Sequence, residues 1–253
     1  MKDQEHSIKA LFVDIGEVLL TNGWGHESRK LAAEKFAIDL AEMEDRHHLN
    51  FETFENGKLT LEEYLSRVVF YQQRPFTDAQ FREFMFAQSK PYPEMIALVT
   101  QLKTKFGLKV VVVSNESREL NAHRIRTFKL NAIVDAFVSS CYIHIRKPDK
   151  DIFTMALDIA QVPASQVVFI DDTPMFIHVA EGMGIQSVLH TDFRSTIAKL
   201  SLLGLQVDAD GSRQTGGQPA NMSCGSLATQ HVNGAAKLTR IDKLEITESE
   251  SIQ

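Results

Sequence analysis

The chain has 253 residues, 43% of them hydrophobic, enough for a buried core in one or two domains. Its net charge of -6, with no Lys/Arg-rich stretch, excludes the basic field that holds a phosphate backbone, so nucleic acid is not an expected partner. Cys141 and Cys224 cannot make a disulfide framework, the start MKDQEHSIKA is too polar for a signal peptide, and no apolar run approaches the ~18 residues of a membrane span. A cytoplasmic protein without a membrane partner is expected.

The first element is Ala10–Ile15, ALFVDI, apolar except for Asp14, as suits a strand covered on both faces of a parallel sheet. Residues 21–90 show no strand pattern and read as four helical stretches. Leu59–Tyr71 is the clearest of these, because Thr60 and Glu63 form a capping box. The stretch also holds Trp24, Phe51, Phe54, Phe70, Phe76, Phe81, Phe84 and Phe86, enough for a small core of its own. It reads as a helical cap over the sheet edge.

A helix with Ile96, Val99, Leu102 and Phe106 on one face ends at Gly107 and leads into a second strand, Leu108–Val113, followed by Ser114-Asn115. A weaker third strand covers Ala136–Val138. A helix carrying Ile152, Met155, Ala156 and Ile159 on one side precedes a fourth, Val167–Ile170, which runs into Asp171-Asp172. A fifth, Ser187–Leu189, ends near Thr191-Asp192. Beyond Gly204 the aromatics disappear, and residues 205–253 read as a disordered polar tail.

Strands alternating with helices predict an α/β fold: a three-layer Rossmann-like core with a parallel sheet, built from residues 1–20 and 91–204, and an inserted helical cap at 21–90. Ligands gather at the carboxyl ends of such strands. At that edge stand Asp14, Ser114, Asn115, Asp171 and Asp172, with Lys147 in the segment RKPDKDIF. Three acids converging without a cation would repel one another. Mg²⁺ resolves this, because it takes a few carboxylates, a backbone carbonyl, waters and a substrate phosphate oxygen. Lys147 and Ser114 can then hold the remaining phosphate oxygens, and the expected chemistry is phosphoryl transfer to Asp14 followed by hydrolysis of the aspartyl phosphate.

Taken in order, VDIGEVL around Asp14, VVSN ending at Asn115, RKPDKDIF around Lys147 and VFIDDTP around Asp172 resemble the four motifs of the haloacid dehalogenase superfamily of phosphatases and dehalogenases. The resemblance covers about residues 8–203. It implies Asp14 as nucleophile, the Gly16 carbonyl and the Asp172 carboxylate as metal ligands, Asp171 as a further or water-mediated ligand, and Ser114, Asn115 and Lys147 as substrate-binding residues. It also implies a small phosphorylated molecule as partner; the oligomeric state is open. One position departs from the usual pattern: where most phosphatases of the family carry an aspartate that protonates the leaving group, this chain has Gly16. A branch of sugar-phosphate phosphatases with a D-x-G first motif is similar. Glu17, His26 or a cap residue is then the candidate proton donor. The alternatives are a 2-haloacid dehalogenase, which would use Asp14 on carbon, a non-catalytic binding protein on the same fold, and a phosphotransferase or mutase, which would need the missing acid more than a hydrolase does.

Plainer readings stand beside these. Asp171-Asp172 and Ser114-Asn115 could cap the helices that follow them. His47-His48 and Cys141-x-x-His144 offer two soft ligands each, too few for zinc, and Cys141 reads as core. Trp24, His26 and Arg29 lie where the chain leaves the sheet edge and are candidates to touch substrate.

Overall fold

Four residues, Ala10–Val13, form the central strand β1, and their alternation assigns them to two different cores. Leu11 and Val13 join Val110, Val112, Val168 and Ile170 on one face of the sheet, whereas Ala10 and Phe12 join Val111, Val113, Val167 and Phe169 on the other. Both faces are covered, which is why all four residues of β1 are apolar. The computed structural model describes residues 7–207, and the sequence-based expectation of a polar tail falls, from residue 208 on, outside them.

After β1 come α1 (His26–Phe36), α2 (Leu40–Glu55), α3 (Leu61–Val68), α4 (Asp78–Ala87) and α5 (Pro93–Phe106), then β2 (Lys109–Ser114) and α6 (Arg118–Thr127). The chain continues through β3 (Ala136–Ser139), α7 (Ser140–Ile143), α8 (Lys150–Ala160), β4 (Val167–Asp171), α9 (Pro174–Glu181), β5 (Gln186–Leu189) and α10 (Phe193–Leu202). All strand pairs are parallel, in the order β3-β2-β1-β4-β5. This is the doubly wound arrangement, with β1 at the point where strand order reverses and α5 and α8 on opposite faces. Among the described residues, no helix is long and apolar enough to cross a membrane.

Local chemistry sets the helix ends. The Thr60 side chain accepts from the Glu63 N–H while Glu63 reaches back to the Thr60 N–H, the expected capping box, and Thr77 and Gln80 repeat it at α4. Gly107 closes α5 at φ 64°, donating its N–H to the Lys103 carbonyl.

Two faces differ from the periodic expectation. In α5 the buried set is Met95, Leu98, Val99 and Leu102, with Ile96 and Phe106 partly buried at its margin. In α8 it is Ile152, Phe153, Ala156 and Ala160, and Ile159 is exposed. Phe153 takes a place on the buried face, where its ring meets Phe169 of β4 edge-on at 5.2 Å.

The four helices α1–α4 build a cluster of their own around Met43, Tyr64, Leu65, Val68, Phe81 and Met85, and Leu120 of α6 joins it. Phe81 is fully buried and its ring meets those of Trp24, Phe36, Phe70 and Phe76. Burying each such ring contributes about 2–3 kcal/mol.

Candidate active site

Asp14 lies one residue beyond β1, and its N–H still donates to the Ile170 carbonyl of β4 at 3.0 Å, which continues the sheet ladder to the catalytic edge. The Ile15 N–H donates to Asp14 Oδ1 at 2.7 Å and orients the carboxylate. Asp171 ends β4 and Ser114 ends β2, so three neighbouring strands deliver their polar residues to one place. Lys147 arrives from the loop before α8, and there it is fully buried. Its ammonium lies 3.0 Å from Asp14 Oδ2 and 2.5 Å from Asp171 Oδ2. The other oxygen of Asp171 accepts from the Thr173 N–H at 2.8 Å, so both oxygens are engaged. Thr173 is the N-cap of α9 and the helix carries no side-chain cap bond, so the acid braces the turn before the helix instead of capping it.

Asn115 occupies a different place. Its carboxamide oxygen accepts from the Lys147 N–H at 2.8 Å and its amide nitrogen donates to the Lys147 carbonyl at 2.9 Å. Both polar groups of the side chain hold the lysine backbone, so Asn115 aims Lys147.

Charge is unmatched in this cluster. The carboxylate oxygens of Asp14, Asp171 and Asp172 come within 4.8 Å of one another, and one ammonium serves them. Burial, and then the charge of Asp14, push the carboxyls of Asp171 and Asp172 above their ordinary range. Burial alone would lower the Lys147 ammonium, but Asp14 and Asp171 outweigh it and hold it up. With all three acids ionised, one lysine leaves two negative charges uncompensated, and two of the acids, Asp14 and Asp172, present hard oxygen donors on the wall of a cavity. A divalent cation such as Mg²⁺ matches that donor set in charge and kind.

The cavity has a volume of about 310 Å³. Asp14, Gly16, Ser114, Asn115 and Asp172 line its sheet side, and Trp24, His26, Arg29, Phe51 and Glu55 line it from the helical insertion. Arg29 is held by Glu44 at 2.9 Å and by the Trp24 carbonyl at 2.7 Å; His26 Nδ1 lies 3.0 Å from the same Glu44, with its side chain 61% exposed. Glu17 faces elsewhere: it accepts from the Asn22 N–H at 2.7 Å and from the Tyr92 hydroxyl at 2.9 Å. Its carboxylate braces the turn after the first motif, with one oxygen engaged by each partner. At Gly16 a Cβ would meet only Asn22 Cα, at 3.8 Å, an ordinary contact. Packing therefore does not impose glycine there.

Cys141 is fully buried, and burial pushes its thiol up to about 12; His144 is bonded to the Asn56 carbonyl at 2.6 Å. Sequence reasoning did not single out Glu55, Glu116, Arg124 or Arg146 for the cavity wall. Their placement depends on contacts between segments far apart in the chain.

Comparison with known proteins follows the same lines. The family model of haloacid dehalogenase-like hydrolases matches residues 8–184. A putative pyrophosphatase of Caldanaerobacter subterraneus is 29% identical over 82 residues, 32% of this chain and 37% of that protein. Bifunctional epoxide hydrolase 2 of Rattus norvegicus is 27% identical over 125 residues, 47% of this chain and 22% of that protein. The chain thus spans well under half the length of these curated relatives. A crystal structure of a HAD family enzyme from Bacteroides thetaiotaomicron, in its magnesium complex, superposes with a TM-score of 0.62 at 21% identity, covering 73% of this chain and 93% of that one. With the match spanning most of the core and the parallel sheet in place, this chain belongs to the haloacid dehalogenase-like hydrolases.

Proposed function

We propose that this hydrolase is a Mg²⁺-dependent phosphatase of small phosphorylated metabolites, with a sugar phosphate the favoured class, acting through an aspartyl phosphate on Asp14. The observation that carries the reading is the buried Lys147 shared between Asp171 and Asp14, the latter of which lines a polar cavity. Asp14, Asp172 and the Gly16 carbonyl would hold the ion, with Asp171 behind them. When bound, Mg²⁺ supplies the positive charge that lets an anionic carboxylate approach an anionic phosphorus.

The residues of the chain account for the rest. Asp14 is pre-aimed by the Ile15 N–H and its charge is tempered by Lys147, so its free lone pair can attack phosphorus in line. Lys147 and Ser114 stabilise the phosphoryl oxygens as charge shifts among them. Residues 21–90 act as a cap over the core of residues 1–20 and 91–204, excluding water and selecting the leaving group through Trp24, Phe51 and their neighbours. Related proteins fit this frame: one is a putative pyrophosphatase, and the enzyme from Bacteroides thetaiotaomicron has also been crystallised with magnesium and inorganic phosphate.

The test is phosphate release from a panel of sugar, acyl and nucleotide phosphates, with Mg²⁺ and with a chelator. Turnover is expected only with the metal, and Asp14→Asn should lose it by at least about 10³-fold, as removal of a covalent nucleophile does. Halide release from a 2-haloacid, with no phosphate released from any substrate, would replace this reading with that of a dehalogenase.

A further inference from the structure

If Gly16 leaves the first motif without an acid, another group must protonate a poor leaving group. We propose that Glu55, at the carboxyl end of α2, is the general acid and base of this site, an inference that rests on the phosphatase reading above. In-line displacement places the departing oxygen on the side of phosphorus away from Asp14. Asp14 enters the cavity from the sheet edge and Glu55 enters it from the helical insertion.

Elimination among the ionisable groups of the cavity wall leads to the same residue. Arg29 and His26 are tied to Glu44, and Asp172 belongs to the cation-binding set. Glu116 is buried and paired with Arg124. Burial lowers His47 to about 4, so it is neutral at working pH and a weak donor. Glu55 remains: Oε2 accepts from Arg146 at 2.7 Å, and Oε1 has no hydrogen-bond partner among the described residues. The side chain is 28% exposed.

The support around Glu55 is rigid. Ser140 Oγ of α7 donates to its carbonyl at 2.7 Å, His144 holds the next carbonyl, and at Gly57 (φ 65°) a Cβ would overlap the Cys141 carbonyl. The end of α2 is thereby clamped to α7 and to His144 at its end. Glu52 shares Arg146 at 3.2 Å, so the guanidinium keeps a partner when Glu55 is protonated. Burial raises the Glu55 carboxyl above its ordinary range; Arg146 and Lys147 oppose this and Asp14 reinforces it. In the first half-reaction the P–O bond to the leaving group breaks as Asp14 bonds to phosphorus, and the departing oxygen takes the Glu55 proton. In the second, the Glu55 carboxylate accepts a proton from the water that attacks the aspartyl phosphate, releasing phosphate and restoring both residues.

The test uses a graded series of aryl phosphates on the full chain with Mg²⁺. Wild type should turn over 4-nitrophenyl, phenyl and 4-methoxyphenyl phosphate with little dependence on leaving-group pKa. Glu55→Gln should lose about 10²-fold or more on the poorer leaving groups but no more than about five-fold on 4-nitrophenyl phosphate, and adding Gly16→Asp should recover the phenyl phosphate rate. Equal losses across the series, or a steep leaving-group dependence already present in wild type, would overturn the assignment while leaving the phosphatase reading intact. The wild-type slope does not depend on the variant folding. If wild type released phosphate neither from these nor from the sugar, acyl and nucleotide panel, the phosphatase reading would fall and the assignment with it.

Discussion

Asn115 gives both polar groups of its side chain to the backbone of Lys147, which makes the position of the ammonium depend on a residue that need not touch substrate. Asn115→Ala should therefore lower kcat by about 10²-fold, the usual cost of misplacing a catalytic group by about an ångström, while shifting the melting midpoint only slightly. Steady-state kinetics and thermal unfolding on the same preparation check this. Asp14, Ser114, Asp171 and Asp172 could be located from the sequence because strand ends and short apolar runs mark them, and Lys147 through the segment RKPDKDIF. The task of Asn115 could not, since it depends on which residue stands opposite after a separation of 32 positions. Glu17 shows the same limit: adjacent to the first motif, it turns at φ 52° to brace Asn22 and Tyr92.

Within the helical insertion, Trp24, Tyr64 and His47 form a polar thread through an aromatic cluster. The indole N–H donates to the Tyr64 hydroxyl at 2.9 Å, and that hydroxyl lies 2.7 Å from His47 Nδ1, which it can supply with its own proton only if the imidazole is neutral there. Burial, followed by the charge of Arg29, lowers His47 from 6.5 to about 4. The folded value is the lower one, so the unfolded chain binds the proton first on acidification. Stability from this residue is intact above about pH 6.5 and lost as pH falls toward 4. Urea unfolding at pH 7.5 and pH 5 should show wild type losing on the order of 1–2 kcal/mol more than His47→Asn. The four helices, their capping boxes and the aromatic content were legible because each is written in neighbouring residues. The burial of Phe153 on α8 was not, because the ring of Phe169 that meets it comes from another element.

Across the whole of the described chain, one buried side chain joins the parts. Arg124 of α6 pairs with Glu116, donates to Ser89 Oγ at 3.0 Å and to the Thr21 carbonyl at 3.1 Å, and also reaches the Asn22 carbonyl. It thus ties the chain entering the insertion and the chain leaving it to the loop after β2, and Gly23 (φ 80°) lacks a Cβ where one would strike the guanidinium. Arg124→Ala leaves Glu116 buried and unpaired, and should destabilise the protein by about 3–5 kcal/mol, measured by denaturant unfolding. A contact between residues 103 positions apart has no local signature, so this strut was invisible in the sequence although both segments it joins were read as the edges of an insertion. On the proposed mechanism, the assembled site carries a phosphoryl group on Asp14 between two half-reactions. The most direct measurement is mass spectrometry of peptides from enzyme acid-quenched during turnover of an aryl phosphate with Mg²⁺. One phosphoryl group, labile to hydroxylamine, is expected on the peptide containing Asp14 and is expected to be absent from Asp14→Asn; phosphate release by that variant at the wild-type rate would contradict the account.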